Sequence, residues 1–290
     1  MKSVVITFVL TLGLTACSSP PPTAPAAPPP PVDPLAELTR GLASGQVQVV
    51  DLTQQLSPTT PIIQLPPPFA NTPGFKKHEI SNFDAKGPAW YWNWIEVGEH
   101  VGTHFDAPCH WVTGKGKPCV DTLEAKQFVG PAAVIDVTAE VAKSADYVLS
   151  PQTIQEWEKT HGRIPNGAWV ILRTGWGSRA SDGKAFFNTD AKGSPHYPGF
   201  GKDSAQFLTT DRNILGVGTE AVGTDAAVGA GADPPFPNHS IMHGAGKFGL
   251  TQLANVEKLP ATGSVVIATP LKIENGSGSP VRVIALVPGR

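Results

Sequence analysis

The stretch EHVGTHFDAPCHW, residues 99–111, restricts the fold more than any other part of the chain. It sets His100, His104, Asp106 and His110 within eleven positions and interrupts them with Gly102 and Pro108. Imidazoles and a carboxylate are borderline ligands suited to Zn²⁺ or Mn²⁺. A straight strand would put all four on one face but leave His100 and His104 about 13 Å apart, too far for one ion. A helix would bring positions four apart together, yet it would turn Asp106 elsewhere and could not continue through Pro108. Gly102 is therefore expected to permit a turn or bulge that folds His100 back beside His104, with Asp106 approaching from two residues on. Pro108 then stiffens the exit and holds His110 near the ion rather than bonded to it. Coordination requires neutral imidazole, so metal binding should weaken in acid.

The N-terminus bears on location. Lys2 precedes an apolar stretch, residues 4–14, that is too short to span a bilayer stably. Leu14-Thr15-Ala16-Cys17 resembles the bacterial lipoprotein cleavage box, which implies a signal peptide over 1–16 and a lipidated Cys17 held by more than one acyl chain. Residues 17–34 are then the lipidated Cys and a Pro/Ala-rich tether with no apolar period. Ser18 and Ser19, by resemblance to Gram-negative lipoproteins, imply the periplasmic face of the outer membrane, so membrane contact is expected through the anchor only. Residues 35–290 suffice for one sizeable domain. A net charge of -2 with scattered Lys and Arg gives no footprint for nucleic acid.

Once Cys17 is lipidated, Cys109 and Cys119 are the remaining thiols. In an oxidising envelope they could close a short loop beside the cluster, or remain two buried free cysteines. A Cys109 nucleophile with His110 as its base is disfavoured, because adjacent residues on an extended segment diverge.

Residues 47–52, 93–97, 131–137, 168–173, 213–217, 264–269 and 281–287 have the branched, apolar character of strands. Residues 151–161 open with Pro and carry Ile154 and Trp157 on one helical face, and 204–212 is helix-like. The Pro-rich segment 58–74 and the Gly- and Asp-rich segment 218–238 are expected to be loops of functional size, with a turn over 275–280. Trp90 and Trp92, just before the cluster, and Trp176, bracketed by Gly175 and Gly177, are candidate aromatic walls for a compact planar or cyclic substrate. Strands outnumber helices, which points to a mixed α/β domain rather than a doubly wound dinucleotide fold.

HVGTHFDAPCH at 100–110 resembles the H-x-G-T-H-x-D-x-P-x-H signature of the cyclase family of metal-dependent hydrolases, which includes bacterial kynurenine formamidases and isatin hydrolases. The resemblance continues through GPAAVIDV at 130–137, VILRTGWG at 170–177, HYPGF at 196–200 and IMHGAGKFGLTQLANVEKLP at 241–260. It implies a single cyclase-like, swivelling β/β/α domain. It implies His100, His104 and Asp106 as metal ligands and His110 as the acid/base residue. His239 matches the histidine that holds a second metal in the formamidases, whose remaining second-site ligand is a glutamate. Thr251 stands at that glutamate's position here, which argues for one Mn²⁺ or Zn²⁺ per subunit. Gln252 is adjacent, and isatin hydrolases are similar in using a glutamine. Gln252 or His239 would complete the site, and His239 could instead face substrate. Family members are similar in being homodimers or higher homo-oligomers with aromatic residues bordering the site.

These features imply hydrolysis of a small cyclic or aryl amide, or an ester. Two alternatives are a metal-dependent dehydratase or cyclising enzyme, and a catalytically silent ligand-binding lipoprotein.

Overall fold

A computed structural model describes residues 33–65 and 67–289. The expected signal peptide, Cys17 and nearly all of the tether lie outside the described residues. The described part begins with α1 (Pro34–Ser44), which Asp33 caps by accepting hydrogen bonds from the backbone N–H groups of Leu35 and Ala36. Next come β1 (Val47–Asp51), β2 (Lys76–Asn82), β3 (Tyr91–Glu96) and the short β4 (His104–Asp106). They are followed by β5 (Val129–Asp136), α2 (Thr138–Lys143), α3 (Pro151–His161), β6 (Trp169–Arg173), α4 (Gly183–Phe187) and α5 (Lys202–Thr210). The chain closes with β7 (Gly216–Thr219), α6 (Pro237–Gly244), β8 (Phe248–Thr251), β9 (Val265–Ala268), β10 (Gly278–Pro280) and β11 (Val283–Pro288).

Nine strands form one mixed sheet in the order β1-β11-β9-β5-β6-β7-β8-β4-β10. Strands β5 to β8 run parallel in its centre, and the pairs on either flank are antiparallel. The sheet has two apolar faces. On β6, Val170 and Leu172 enter a core shared with Ile154 and Trp157 of α3, Leu208 of α5 and Met242 of α6. Trp169 and Ile171 alternate to the other face and meet Phe105, Phe248, Leu250, Val266 and Val283, where the curled flanks close a second core. The result is a single α/β domain with a mixed, curled sheet and flanking helices. β2 and β3 form a separate two-stranded ribbon.

Helix α3 spans the residues its pattern predicts, while the strand expected at 213–217 is displaced to 216–219. Residues 240–256, small and apolar with glycines at 244, 246 and 249, supply the end of α6 and all of β8. The expected turn at 275–280 contains β10, because its residues pair with β4. Among the described residues, no helix is long and apolar enough to cross a membrane. A disulfide joins Cys109 to Cys119.

Leu172→Ala, at a fully buried position, should lower the unfolding free energy by about 2–5 kcal/mol in a denaturant titration. Cys119→Ser should cost about 2–3 kcal/mol through loss of the short closed loop, with the mass change on reduction of the wild type reporting the bond.

Candidate metal centre

The turn at Gly102, with φ of +66°, reverses the chain between His100 and β4. His100 and His104 are thereby brought to 5.3 Å between ring centroids. On β4 the side chains alternate: His104 and Asp106 face the site, while Phe105 is fully buried in the second core. β4 lies between β8 and β10, so Asp106 sits opposite Gly249 on one side and Gly278 on the other. A Cβ added at Gly249 would come 2.6 Å from Asp106 Oδ2, so this glycine is what lets the carboxylate stand there. Pro108 starts a 3₁₀ turn ending at His110, whose ring stacks on His100 at 3.9 Å.

The polar contacts leave lone pairs converging on one carboxylate. His104 donates from Nδ1 to the Gly102 carbonyl at 2.8 Å, so its Nε2 lone pair lies 3.4 Å from Asp106 Oδ1 and 3.1 Å from Thr251 Oγ1. The Ser277 hydroxyl donates to Glu99 Oε2 at 2.5 Å, which leaves it to accept from His100 Nε2 at 2.9 Å. With Nε2 protonated, His100 Nδ1 faces Asp106 Oδ1 at 2.8 Å as lone pair against lone pair, a contact that needs a proton or a cation between the two. Asp106 Oδ2 is buried with no hydrogen-bond partner. A cation satisfies both oxygens of a buried carboxylate that would otherwise be costly. His100, Asp106 and His110 each offer a ligand atom within 4.8 Å of the others. The donor set of imidazole nitrogens and a carboxylate fits one divalent Mn²⁺ or Zn²⁺ per chain.

Helix α6 supplies the opposite wall. Its N-terminus has no side-chain cap of its own; Asp225 accepts from the backbone N–H of Asn238 at 2.7 Å and of His239 at 3.0 Å. The same carboxylate accepts from His239 Nδ1 at 2.5 Å, which turns Nε2 toward Asp106 Oδ2, 3.9 Å away.

Electrostatics follow from this crowding. Burial alone would raise the Asp106 carboxyl, but the His104 and His100 imidazoles hold it well below the usual carboxylate range. Burial, reinforced by His100, pushes His110 down to about 2, so its ring is neutral at neutral pH. Burial opposes charge on His239, yet Asp225 outweighs it and raises the pKa.

The site opens into a cavity of about 240 Å³. Ile63 and Leu65 from the Pro-rich loop, with Trp111, Val222 and Phe236, form an apolar wall over His100, His104, Asp106, His110 and His239. Gln252 also lines the cavity, with its own backbone in a left-handed conformation at φ of +55°. Trp176 is not at the cavity: it is buried in the first core and donates its indole N–H to the Phe186 carbonyl. Trp90 and Trp92 are about half exposed on the β2–β3 ribbon, outside the cavity lining of the same chain. Trp111, Phe236, Asp225 and His243 were not legible as site residues. The spacing of His239 and His243 on one helical face was the available signal for the last of them.

Comparison with known proteins places these residues in a family context. Residues 50–226 match the Cyclase family, described as "Putative cyclase". The isatin hydrolase of Roseibium aggregatum is 49% identical over 257 residues, covering 88% of this chain and 97% of that protein. The crystal structure of an isatin hydrolase bound to the product analogue thioisatinate superposes with a TM-score of 0.85 at 49% identity, covering 88% of this chain and 97% of the other. Isatin hydrolase A from Ralstonia solanacearum gives 0.85 at 47% identity, covering 90% and 100%.

Gly249→Ala should displace the Asp106 carboxylate and weaken Mn²⁺ binding by about 10–100-fold, read by competition with a chelator, while far-UV circular dichroism stays unchanged.

Proposed function

The chain belongs to the cyclase family, and we propose that it is a metal-dependent hydrolase that opens a small cyclic aryl amide, with isatin the first substrate to try. The observation that carries this reading is the cavity itself, where an apolar, partly aromatic wall faces a buried His/Asp cluster. Such a pocket takes a flat ring on one side and presents its carbonyl to the polar side.

His100, His104 and Asp106 hold the ion in this reading, with Gln252 or His239 completing its surroundings. A divalent ion there supplies a Lewis acid for the scissile carbonyl and for the attacking water. His110 is stacked on His100 and lines the cavity, and in this reading it takes a proton from the water and delivers it to the departing nitrogen. Water adds to the carbonyl carbon, the C–N bond breaks, and a carboxylate and an aryl amine remain on one product. The wall formed by Ile63, Leu65 and Phe236 excludes bulk water from the face of the ring.

The β2–β3 ribbon supports a homodimer. Trp90, Trp92, Trp94 and Ile95 are all more than half exposed, and a two-stranded ribbon is marginal by itself. In this reading a second copy covers the ribbon, and Trp90 and Trp92 border the partner's site. The lipobox-like LTAC17 and the Pro-rich stretch support anchoring of residues 35–290, the catalytic domain, to the bacterial envelope through Cys17.

Mn²⁺-loaded protein incubated with isatin, other lactams, formyl-amides, lactones and cyclic imides should turn over at least one of them to products that together carry one water more than the substrate, a single ring-opened product for a cyclic substrate and two fragments for a formyl-amide. An isomer or a dehydrated product would instead identify a cyclising enzyme or dehydratase, and binding without turnover of any of them would overturn the enzymatic reading. His104→Ala should release the ion, whereas His110→Ala should keep it and lose about 10²–10⁴-fold in kcat. Equal metal loss in both would refute the division of roles.

A further inference from the structure

The segment NGSGSP at 275–280 is built around the outer edge of the His100 ring. Ser277 is fixed there by its backbone and by its neighbours. Its N–H donates to Glu99 Oε2 at 3.1 Å, its carbonyl accepts from the Ala107 N–H at 2.9 Å, and the Gly276 carbonyl before it accepts from the Val120 N–H at 3.0 Å. Gly276 and Gly278 allow this close approach. An added Cβ would lie 2.9 Å from Val120 Cγ2 at the first and 2.5 Å from His100 Cε1 at the second. The hydroxyl held between these glycines touches Glu99 Oε2 at 2.5 Å and His100 Nε2 at 2.9 Å.

Counting protons gives this chain a direction. A carboxylate has no proton to give, so the single Ser277 hydroxyl proton goes to Glu99 and the oxygen can then only accept from His100. The ring proton is on Nε2, and Nδ1 keeps its lone pair toward Asp106 Oδ1, 2.8 Å away. Without Glu99 the hydroxyl would be free to turn and donate to Nε2. His100 would then carry its proton on Nδ1 and give it to Asp106, and the centre would close on itself with no ion. We propose that Glu99 and Ser277 are positioning residues for the metal: they commit His100 to its ligating tautomer and so prevent the internal His100–Asp106 hydrogen bond that competes with the ion. His104 receives the same commitment from a rigid acceptor, the Gly102 carbonyl. The acceptor of His100 is a rotatable hydroxyl, which is why it needs a carboxylate behind it. This inference rests on the metal centre described above and not on the choice of substrate.

Competition between the protein and a chelator for Mn²⁺ reads the effect without any substrate. Ser277→Ala and Glu99→Ala should each weaken Mn²⁺ binding by about 10–100-fold, with far-UV circular dichroism unchanged. Because Glu99 acts through the hydroxyl, Glu99→Ala in a Ser277→Ala background should weaken binding no further, a coupling that independent structural damage would not produce. In protein loaded with diamagnetic Zn²⁺, nuclear magnetic resonance should show the His100 Nε2 proton as a downfield, slowly exchanging signal. That signal should be lost in Ser277→Ala and moved upfield in Glu99→Ala. A single variant that binds Mn²⁺ like wild type overturns the proposal, as do single losses that add in the double variant. Should the variants lose their fold, the Zn²⁺-loaded wild type decides: a protected His100 Nε2 proton supports the chain, and one exchanging like an exposed imidazole overturns it. Wild-type protein that holds neither Mn²⁺ nor Zn²⁺ would refute the metal centre itself, and this proposal with it.

Discussion

Asp106 is the point on which the centre depends, because one buried carboxylate organises two walls of the site. Its place is fixed by backbone pairing: β4 is held on both edges, Gly249 opposite it clears the space its side chain fills, and Gly278 on the other edge leaves room for the His100 ring. A carboxylate this buried is tolerated only if it is charged among cations or donors, and five imidazoles surround it. His100, His104 and His110 come from its own segment, and His239 and His243 from α6. The antiparallel seam at the flank of a parallel sheet therefore determines where metal chemistry can occur.

The rest of the fold serves this seam by making it rigid. β8 pairs with β7 as well as β4, so the apolar centre of the sheet is continuous with the strand opposite Asp106. Phe105, lodged between the two ligand-type residues of β4, contacts Phe248 and Trp169 and ties that strand to the second core. The disulfide from Cys109 constrains the turn that carries His110. Rigid positioning matters because a proton-transfer group must be within hydrogen-bond reach of its target before its pKa can be of use. The apolar lid from residues 63–65 and the Phe236 region belongs to loops, which suits a surface that must fit a particular ring.

Much of this was legible from residue types and spacing. Gly102 had to turn the chain, Pro108 to stiffen its exit, and the continuous apolar runs at 131–137 and 168–173 read as strands, which the structure places in the centre of the sheet. α3 announced itself through Pro151 and the Ile154–Trp157 pair. The threonine at 251, where the resemblance implies a glutamate, was also visible, and the structure adds that its hydroxyl sits against the His104 ring. Trp176 misled, since glycines on both sides suggest a binding loop, while its indole is used to fill the first core and to satisfy the Phe186 carbonyl.

Sequence by itself determined the class of chemistry, because a run of imidazoles and a carboxylate around Gly102 and Pro108 has few other uses, and it determined the order of apolar strands. Only tertiary structure decided which lone pairs face one another. α6 hid behind its glycines, and its i, i+4 histidine pair acquired meaning only when the helix was laid against Asp106, a contact between residues far apart in the chain. Asp225, Trp111 and Phe236 became site residues for the same reason: hydrogen bonding and packing choose among equivalent side chains by position, and position across a sheet is set by pairing that local spacing does not encode.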